Sequence, residues 1–135
     1  MCNNLIYLTT TTTTSVDANT VIPLTTVQRR RGKTIQNLSN NIILNNVGYY
    51  KVNASITFTA PVAGTISVKL QKGNMDVSGI TSSTTITTAD TEVNTLNISG
   101  IVRVYCNENP TFLTLVNNGL AISIQNVAVN VEYLG

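Results

Sequence analysis

Gly48-Tyr49-Tyr50-Lys51-Val52-Asn53-Ala54-Ser55-Ile56-Thr57-Phe58 is the stretch on which the fold class turns. Tyr50, Val52, Ala54, Ile56 and Phe58 alternate with Tyr49, Lys51, Asn53, Ser55 and Thr57. Successive side chains of a β-strand point to opposite faces, so a strict period of two sends the first set into a core. The second set then faces solvent or a partner.

Reading downstream, Pro61 and Gly64 break the chain. Ile66, Val68 and Leu70 then alternate with Thr65, Ser67, Lys69 and Gln71, which predicts a hairpin with its loop over Ala60 to Ala63. Lys72-Gly73-Asn74 is a turn, and Ile80 to Thr88 a Thr/Ser-rich strand that Asp90-Thr91-Glu92 interrupts. Leu96, Ile98, Val102 and Val104 line one face of a long strand. Gly100 among them marks a bulge or the close approach of another backbone. Asn107 to Pro110 is a turn, Phe112 to Val116 an apolar run buried on both sides, and Asn117-Asn118-Gly119 a hairpin signal. Leu120, Ile122 and Ile124 alternate, as do Val127, Val129, Val131 and Tyr133.

Upstream, Val21-Ile22-Pro23-Leu24 reads as a short strand, placed at an edge or bulge because Pro23 donates no hydrogen bond. Arg29-Arg30-Arg31-Gly32-Lys33 reads as a loop or turn. The Thr run from Thr9 to Thr14 fits an extended arm, an edge strand or a disordered tail, although Leu5 to Leu8 before it looks meant for burial. The division is therefore a Thr-rich arm or edge strand over 1–20 and one domain over 21–135. No window carries the helical period, and about eight to ten short strands separated by turns point to a sandwich or barrel. An immunoglobulin fold lacks its Trp, because the chain has none.

Composition agrees. The 135 residues suit a single domain, and only 10% are charged, with Asn, Thr and Ser supplying the polar surface. A net charge of +2 calls for neither nucleic acid nor an anionic membrane as partner. Met1 to Leu8 has no basic start and no long apolar run, which predicts synthesis in the cytoplasm of the producing cell. Cys2 and Cys106 read as free thiols, with a disulfide as the alternative.

The residues of chemistry are sparse. Histidine is absent, which removes His-based triads and the commonest general base. Of the carboxylates Asp17, Asp76, Asp90, Glu92, Glu108 and Glu132, all but Glu132 fall in expected turns or loops, where turn formation and solubility account for them. No enzyme is expected. No cofactor is expected either, apart from Ca²⁺ held weakly through Asp90 and Glu92, whose spacing is not that of an EF-hand. Arg29, Arg30, Arg31 and Lys33 form the basic cluster; it is either a contact for an acidic partner or a solvated loop. Low aromatic content argues against nucleic acid there. The sequons at Asn37, Asn53 and Asn97 arise readily in so Asn-rich a chain.

Gly48 to Phe58 resembles the G-x-Y-x-[VF]-x-[AF] strand of the tumour-necrosis-factor-like jelly-roll superfamily, which includes the globular head of the first complement component. Gly64 to Gly73 is similar to that superfamily's following strand and turn, and Asn126 to Leu134 to its last strand. Ile22-Pro23-Leu24, Arg30-Arg31-Gly32 and Ile42-Ile43-Leu44 resemble the N-terminal part of small members encoded by phages and prophages of gut Firmicutes. The resemblance implies a ten-stranded jelly roll that assembles as a homotrimer. In the phage setting it implies a virion surface component: a capsid decoration protein, a head fibre or a fibre tip, with a capsid or fibre protein as partner.

Candidate trimer-interface residues are Tyr49, Tyr50, Phe112, Leu113, Leu115 and Tyr133. The run Phe112 to Val116 holds more apolar surface than one core takes up, and tyrosines suit interfaces. Arg29, Arg30 and Arg31 are the candidate partner contact. The competing function is a recognition head for a receptor or host surface glycan, read by loops such as Lys72 to Gly79 and Asp90 to Asn94.

Overall fold

The alternating segments become strands of two stacked antiparallel sheets. The computed structural model describes residues 4–38, 40–108 and 110–135. The free-thiol expectation for Cys2, the Ser39 end of one sequon and Asn109 of one turn lie outside the described residues. In chain order the strands are β1 (Leu5–Thr10), β2 (Thr14–Val16), β3 (Thr20–Val21), β4 (Thr26–Arg31), β5 (Ile35–Leu38) and β6 (Asn41–Leu44). They continue with β7 (Gly48–Thr59), β8 (Gly64–Lys72), β9 (Met75–Ile86), β10 (Asn94–Val104), β11 (Thr111–Asn117) and β12 (Ile122–Tyr133). A short 3-10 turn, Cys106–Glu108, leaves Cys106 exposed.

The first sheet runs β10-β7-β12-β1-β4, the second β5-β6-β11-β8-β9. These two paths are the ten-stranded body that was expected. The short strands β2 and β3 add to β12 and β11. The core lies between the sheets. Tyr50, Val52, Ile56 and Phe58 of β7 and Val127, Val129 and Val131 of β12 are fully buried there, as are Ile66, Val68 and Leu70 of β8 and Leu113 and Leu115 of β11. At about 1.5–3 kcal/mol per buried large side chain, this two-faced packing is the main favourable term.

Several neighbours differ from expectation. β7 and β8 lie in different sheets, so they are not a hairpin. The same holds for β11 and β12 across Asn117-Asn118-Gly119. Alternation fixes which face of a strand is buried, not which strand lies beside it. A tight hairpin does form at β8–β9, where Gly73 and Asn74 take φ of 57° and 70° and Lys72 pairs with Met75. Two consecutive left-handed residues make the primed turn that matches strand twist. Gly100 is in regular register with Val52. What approaches it is a side chain: a Cβ there would lie 2.6 Å from Ile80 Cγ1.

The boundary at residue 20 dissolves. β1 sits between β12 and β4 as an interior strand, with Ile6 and Leu8 fully buried, so it is neither an arm nor an edge. Strand β3 stops at Val21, before Pro23, while Ile22 and Leu24 still reach the core. Thr10 locks this crossing: its hydroxyl donates to Pro23 O at 2.8 Å and accepts the Thr25 N–H at 3.1 Å. Arg29, Arg30 and Arg31 are not in a loop. They are the end of β4, which supplies β1 with its second hydrogen-bonded neighbour.

Candidate functional site

The outer face of the first sheet is set by register. One row across it reads Ser99, Asn53, Asn130, Tyr7, Arg29 from β10 to β4. The next reads Asn97, Ser55, Ala128, Thr9, Thr26. From β10 to β1 both rows are uncharged. Charges enter where the first row reaches β4, at Arg29, and one row further, at Lys51 and Glu132, which face each other in the ladder. The uncharged rows enclose a depression of about 400 Å³ lined by Tyr7, Asn53, Ser55, Asn97, Ser99 and Asn130, among others. Among the described residues, the side-chain amides of Asn53, Asn97 and Asn130 have no hydrogen-bond partner within the chain, whereas the hydroxyls of Thr57 and Thr95 pair at 3.0 Å. A neutral surface of this breadth with unused donors and acceptors resembles the middle of a protein interface, where charge is depleted.

A second surface borders it, along β10 and the start of β9. Met75, Ile101 and Tyr105 are exposed large apolar side chains. They stand around a 350 Å³ depression together with Arg103 and Glu108. The Arg103 guanidinium lies 5.4 Å from the ring centre of Tyr49 and 4.5 Å from that of Tyr105, a cation held over two aromatic faces. Glu108 accepts the Tyr105 N–H at 2.9 Å and pairs with Lys72 at 3.0 Å. The Tyr105 amide foremost, then Lys72, holds the Glu108 carboxyl below the ordinary glutamate range. Sequence reading missed this cluster. Its visible signal is Ile101, an apolar residue in the outward register of β10.

The predicted interface residues separate. Tyr49 is exposed on the outer face of the first sheet. Tyr50, Leu113 and Leu115 are fully buried in the protomer core and cannot touch a second copy, because each belongs to the inward set of its strand. Burial raises the Tyr50 phenol above its ordinary pKa; the hydroxyl donates to Asn46 O at 2.7 Å. Tyr133 is half-buried against the core, 4.9 Å from the Tyr50 ring, with its hydroxyl on Val47 O. Phe112 is half-buried and pairs with Ile43 on the second sheet, away from Tyr49. The outward residues Thr114 and Val116 are buried as well, so the protomer itself absorbs the apolar surplus of this run.

Glu92 is occupied. Its Oε1 accepts the N–H and hydroxyl of Thr87 and the N–H of Thr88, and its Oε2 accepts from Asn94 at 2.8 Å. Ca²⁺ at Asp90 and Glu92 would have to displace these donors, and among the described residues no three acidic or thiol groups cluster. The two segments of the recognition-head reading flank opposite ends of the β8–β9 ladder, whose eight steps from Lys72 to Gly64 span roughly 26 Å at ~3.3 Å per residue.

Sheet order and burial together define a tumour-necrosis-factor-like jelly roll. No family model and no curated protein matches the sequence. Solved structures do match in fold. The Eiger tumour necrosis factor of S. frugiperda superposes with a TM-score of 0.76 at 12% identity, covering 100% of this chain and 94% of that one. The globular domain of the zebrafish complement 1qA protein gives 0.69 at 8% identity, covering 97% and 96%. The vertex protein P5 of PRD1 gives 0.66 at 15% identity, covering 100% and 99%.

Proposed function

We propose that this chain is a non-enzymatic structural protein of a virion surface, working as a homotrimer in capsid decoration, a head fibre or a fibre tip of a phage or prophage. The observation that carries the assembly is the uncharged depression on the first sheet, with its unused amides, beside the exposed apolar strip of Met75, Ile101 and Tyr105. One is neutral and hydrogen-bonding, the other apolar and aromatic. Such unlike patches make a head-to-tail contact, which closes into a ring when the rotation permits. The full-length likeness to a phage vertex protein supports the virion setting. It also fits the small, phage-encoded members whose N-terminal segments this sequence resembles.

The reading is tested by Ser55→Arg, which places a cation in the depression without touching the core. The variant is expected to lose the trimer mass and keep its fold by circular dichroism; a trimer that survives the substitution refutes the placement. Purified wild-type protein should also co-sediment with virus particles stripped of it, and its failure to do so counts against the virion role.

A second reading has one observation in its favour. Neutral amides around Tyr7 are also what a sugar-binding groove presents. A glycan-recognition head would bind sugar through this face as a monomer, and a glycan array separates it from an assembly face.

A further inference from the structure

Charge on this molecule is segregated. Four of the eight basic residues stand within 29–33, so the rest of the chain holds four against six acidic residues and is net negative. Elsewhere each cation has company. Lys69 pairs with Asp76 at 3.0 Å, Lys72 with Glu108 at 3.0 Å, Arg103 stacks on two tyrosines, and Lys51 faces Glu132 in register. Among the described residues, Arg29, Arg30, Arg31 and Lys33 make no ion pair. Arg29 hydrogen-bonds only the carbonyl of its own neighbour Gln28.

These arginines also sit in a particular place. β4 is an edge of the first sheet, with β1 on one side and, among the described residues, no strand on the other. All six of its residues are exposed. A register shift opposite Tyr7 and Leu8 skips Gln28, and beyond it Arg29, Arg30 and Arg31 pair regularly with Tyr7, Ile6 and Leu5. The regular end of the edge is therefore the arginine end. The arginines and Leu5 border a depression of about 490 Å³.

We infer that β4 is a docking edge that receives an extended acidic segment of a partner protein as an additional strand of the first sheet. Two features converge on that occupant. A free edge offers a row of backbone N–H and C=O groups that an extended peptide can pair with. Along the same row, Arg29 and Arg31 project to one side, roughly 7 Å apart, and Arg30 to the other. An added strand repeats with that same spacing, so acidic residues at alternate positions along it meet Arg29 and Arg31 on one face. Guanidinium–carboxylate pairs are often bidentate, which fixes register as well as adding attraction. A nucleic acid would need a stacking platform, and β4 carries no aromatic residue. The inference rests on the assembly reading above, whose capsid or fibre partner it describes chemically, and it leaves the depression of the first sheet free for self-association.

The probe is a fluorescent synthetic peptide of alternating Thr and Glu. Its controls are the same peptide with alternate backbone nitrogens methylated, a Thr/Lys peptide and inorganic polyphosphate. Anisotropy is expected to show saturable binding of the Thr/Glu peptide, weakened roughly tenfold or more by R29Q/R31Q. Raising salt from about 50 to about 300 mM should weaken it further. Backbone methylation should weaken binding by a similar factor, and hydrogen exchange should show new protection over 26–31. All the variants change exposed side chains, and thermal melts check that they fold.

No binding, or equal binding of the methylated peptide or of polyphosphate, overturns the inference and leaves the arginines as a charge guard on a bare edge. Scattering mass, recorded on the same samples, separates this failure from failure of the trimer.

Discussion

Asn117 is the side chain on which two chain crossings depend, and replacing it by aspartate should be among the costliest single changes in the protein. The residue is fully buried. Its Nδ2 lies 2.9 Å from Leu120 O, 3.2 Å from Asp17 O and 3.3 Å from Val16 O, and its Oδ1 accepts the Gly119 N–H at 3.1 Å. It thus ties the end of β2 to the passage from β11 to β12. Asn117→Asp keeps the shape and removes the donors. A fully buried carboxylate then faces three carbonyl oxygens. Each buried acceptor left unpaired costs about 1–3 kcal/mol. Two hydrogens serve two acceptors well, so the loss is about 4 kcal/mol at neutral pH once the unfavourable charge is included.

The matching assay is urea unfolding at fixed protomer concentration, since association would otherwise shift the midpoint. With a slope of about 2 kcal/mol per molar, the midpoint should fall by about 2 M. Asn117→Ala, which carries no charge, should cost less, about 2–3 kcal/mol. The aspartate variant should also respond to pH with a definite sign. Its folded pKa is raised above the unfolded value of about 3.9, so the charge penalty is complete above the folded pKa and fades as pH falls toward about 4. An aspartate variant within about 1 kcal/mol of wild type at neutral pH, or one more stable than the alanine variant there, refutes the reasoning.

A Cβ on Gly119 would lie 2.6 Å from the backbone nitrogen of Ser67 and 2.9 Å from Thr65 O, so Gly119→Ala must displace backbone and should cost about 2–3 kcal/mol, with a clear drop in melting temperature. At Gly100 the obstacle is the flexible Ile80 side chain, and Gly100→Ala should cost about 1 kcal/mol; equal melts for the two variants contradict this. Three carboxyls should titrate below their ordinary values: Glu92 through the Thr87 hydroxyl first, Glu108 through the Tyr105 amide first, and Asp76 through Gln71 first. A depressed folded pKa contributes stability above the unfolded value and loses it as pH falls through the folded one, so the segments these carboxyls hold should loosen below about pH 4. Carbon-13 titration reads each carboxyl, and values at or above the ordinary range would contradict the hydrogen bonds.

Faces were far more legible in the sequence than neighbours. The alternation of Tyr50 to Phe58 and of Val127 to Tyr133 identifies the buried sets of β7 and β12. The same alternation already places Tyr50 inside, which is why it fails as an interface residue. Chain proximity misleads about pairing, because β7 finds β10 and β12 rather than β8. That choice is made by long-range packing. Local chemistry succeeded where it is sufficient, as at Gly73-Asn74, whose positive φ values close a true hairpin. The arginines were legible as a charge cluster, but not as strand, because β4 has no buried face to betray it. Its partner is β1, some twenty residues earlier in the chain. The outer depression was invisible for a similar reason: its residues come from four strands and most are polar, as solvent-facing residues also are.

Light scattering on a size-exclusion column, run over a dilution series, tests the central claim most directly. The account predicts a stable mass of three 14.5 kDa protomers. A single-protomer mass at every concentration would contradict it, and would return the uncharged face of the first sheet to the status of ordinary solvent-facing surface.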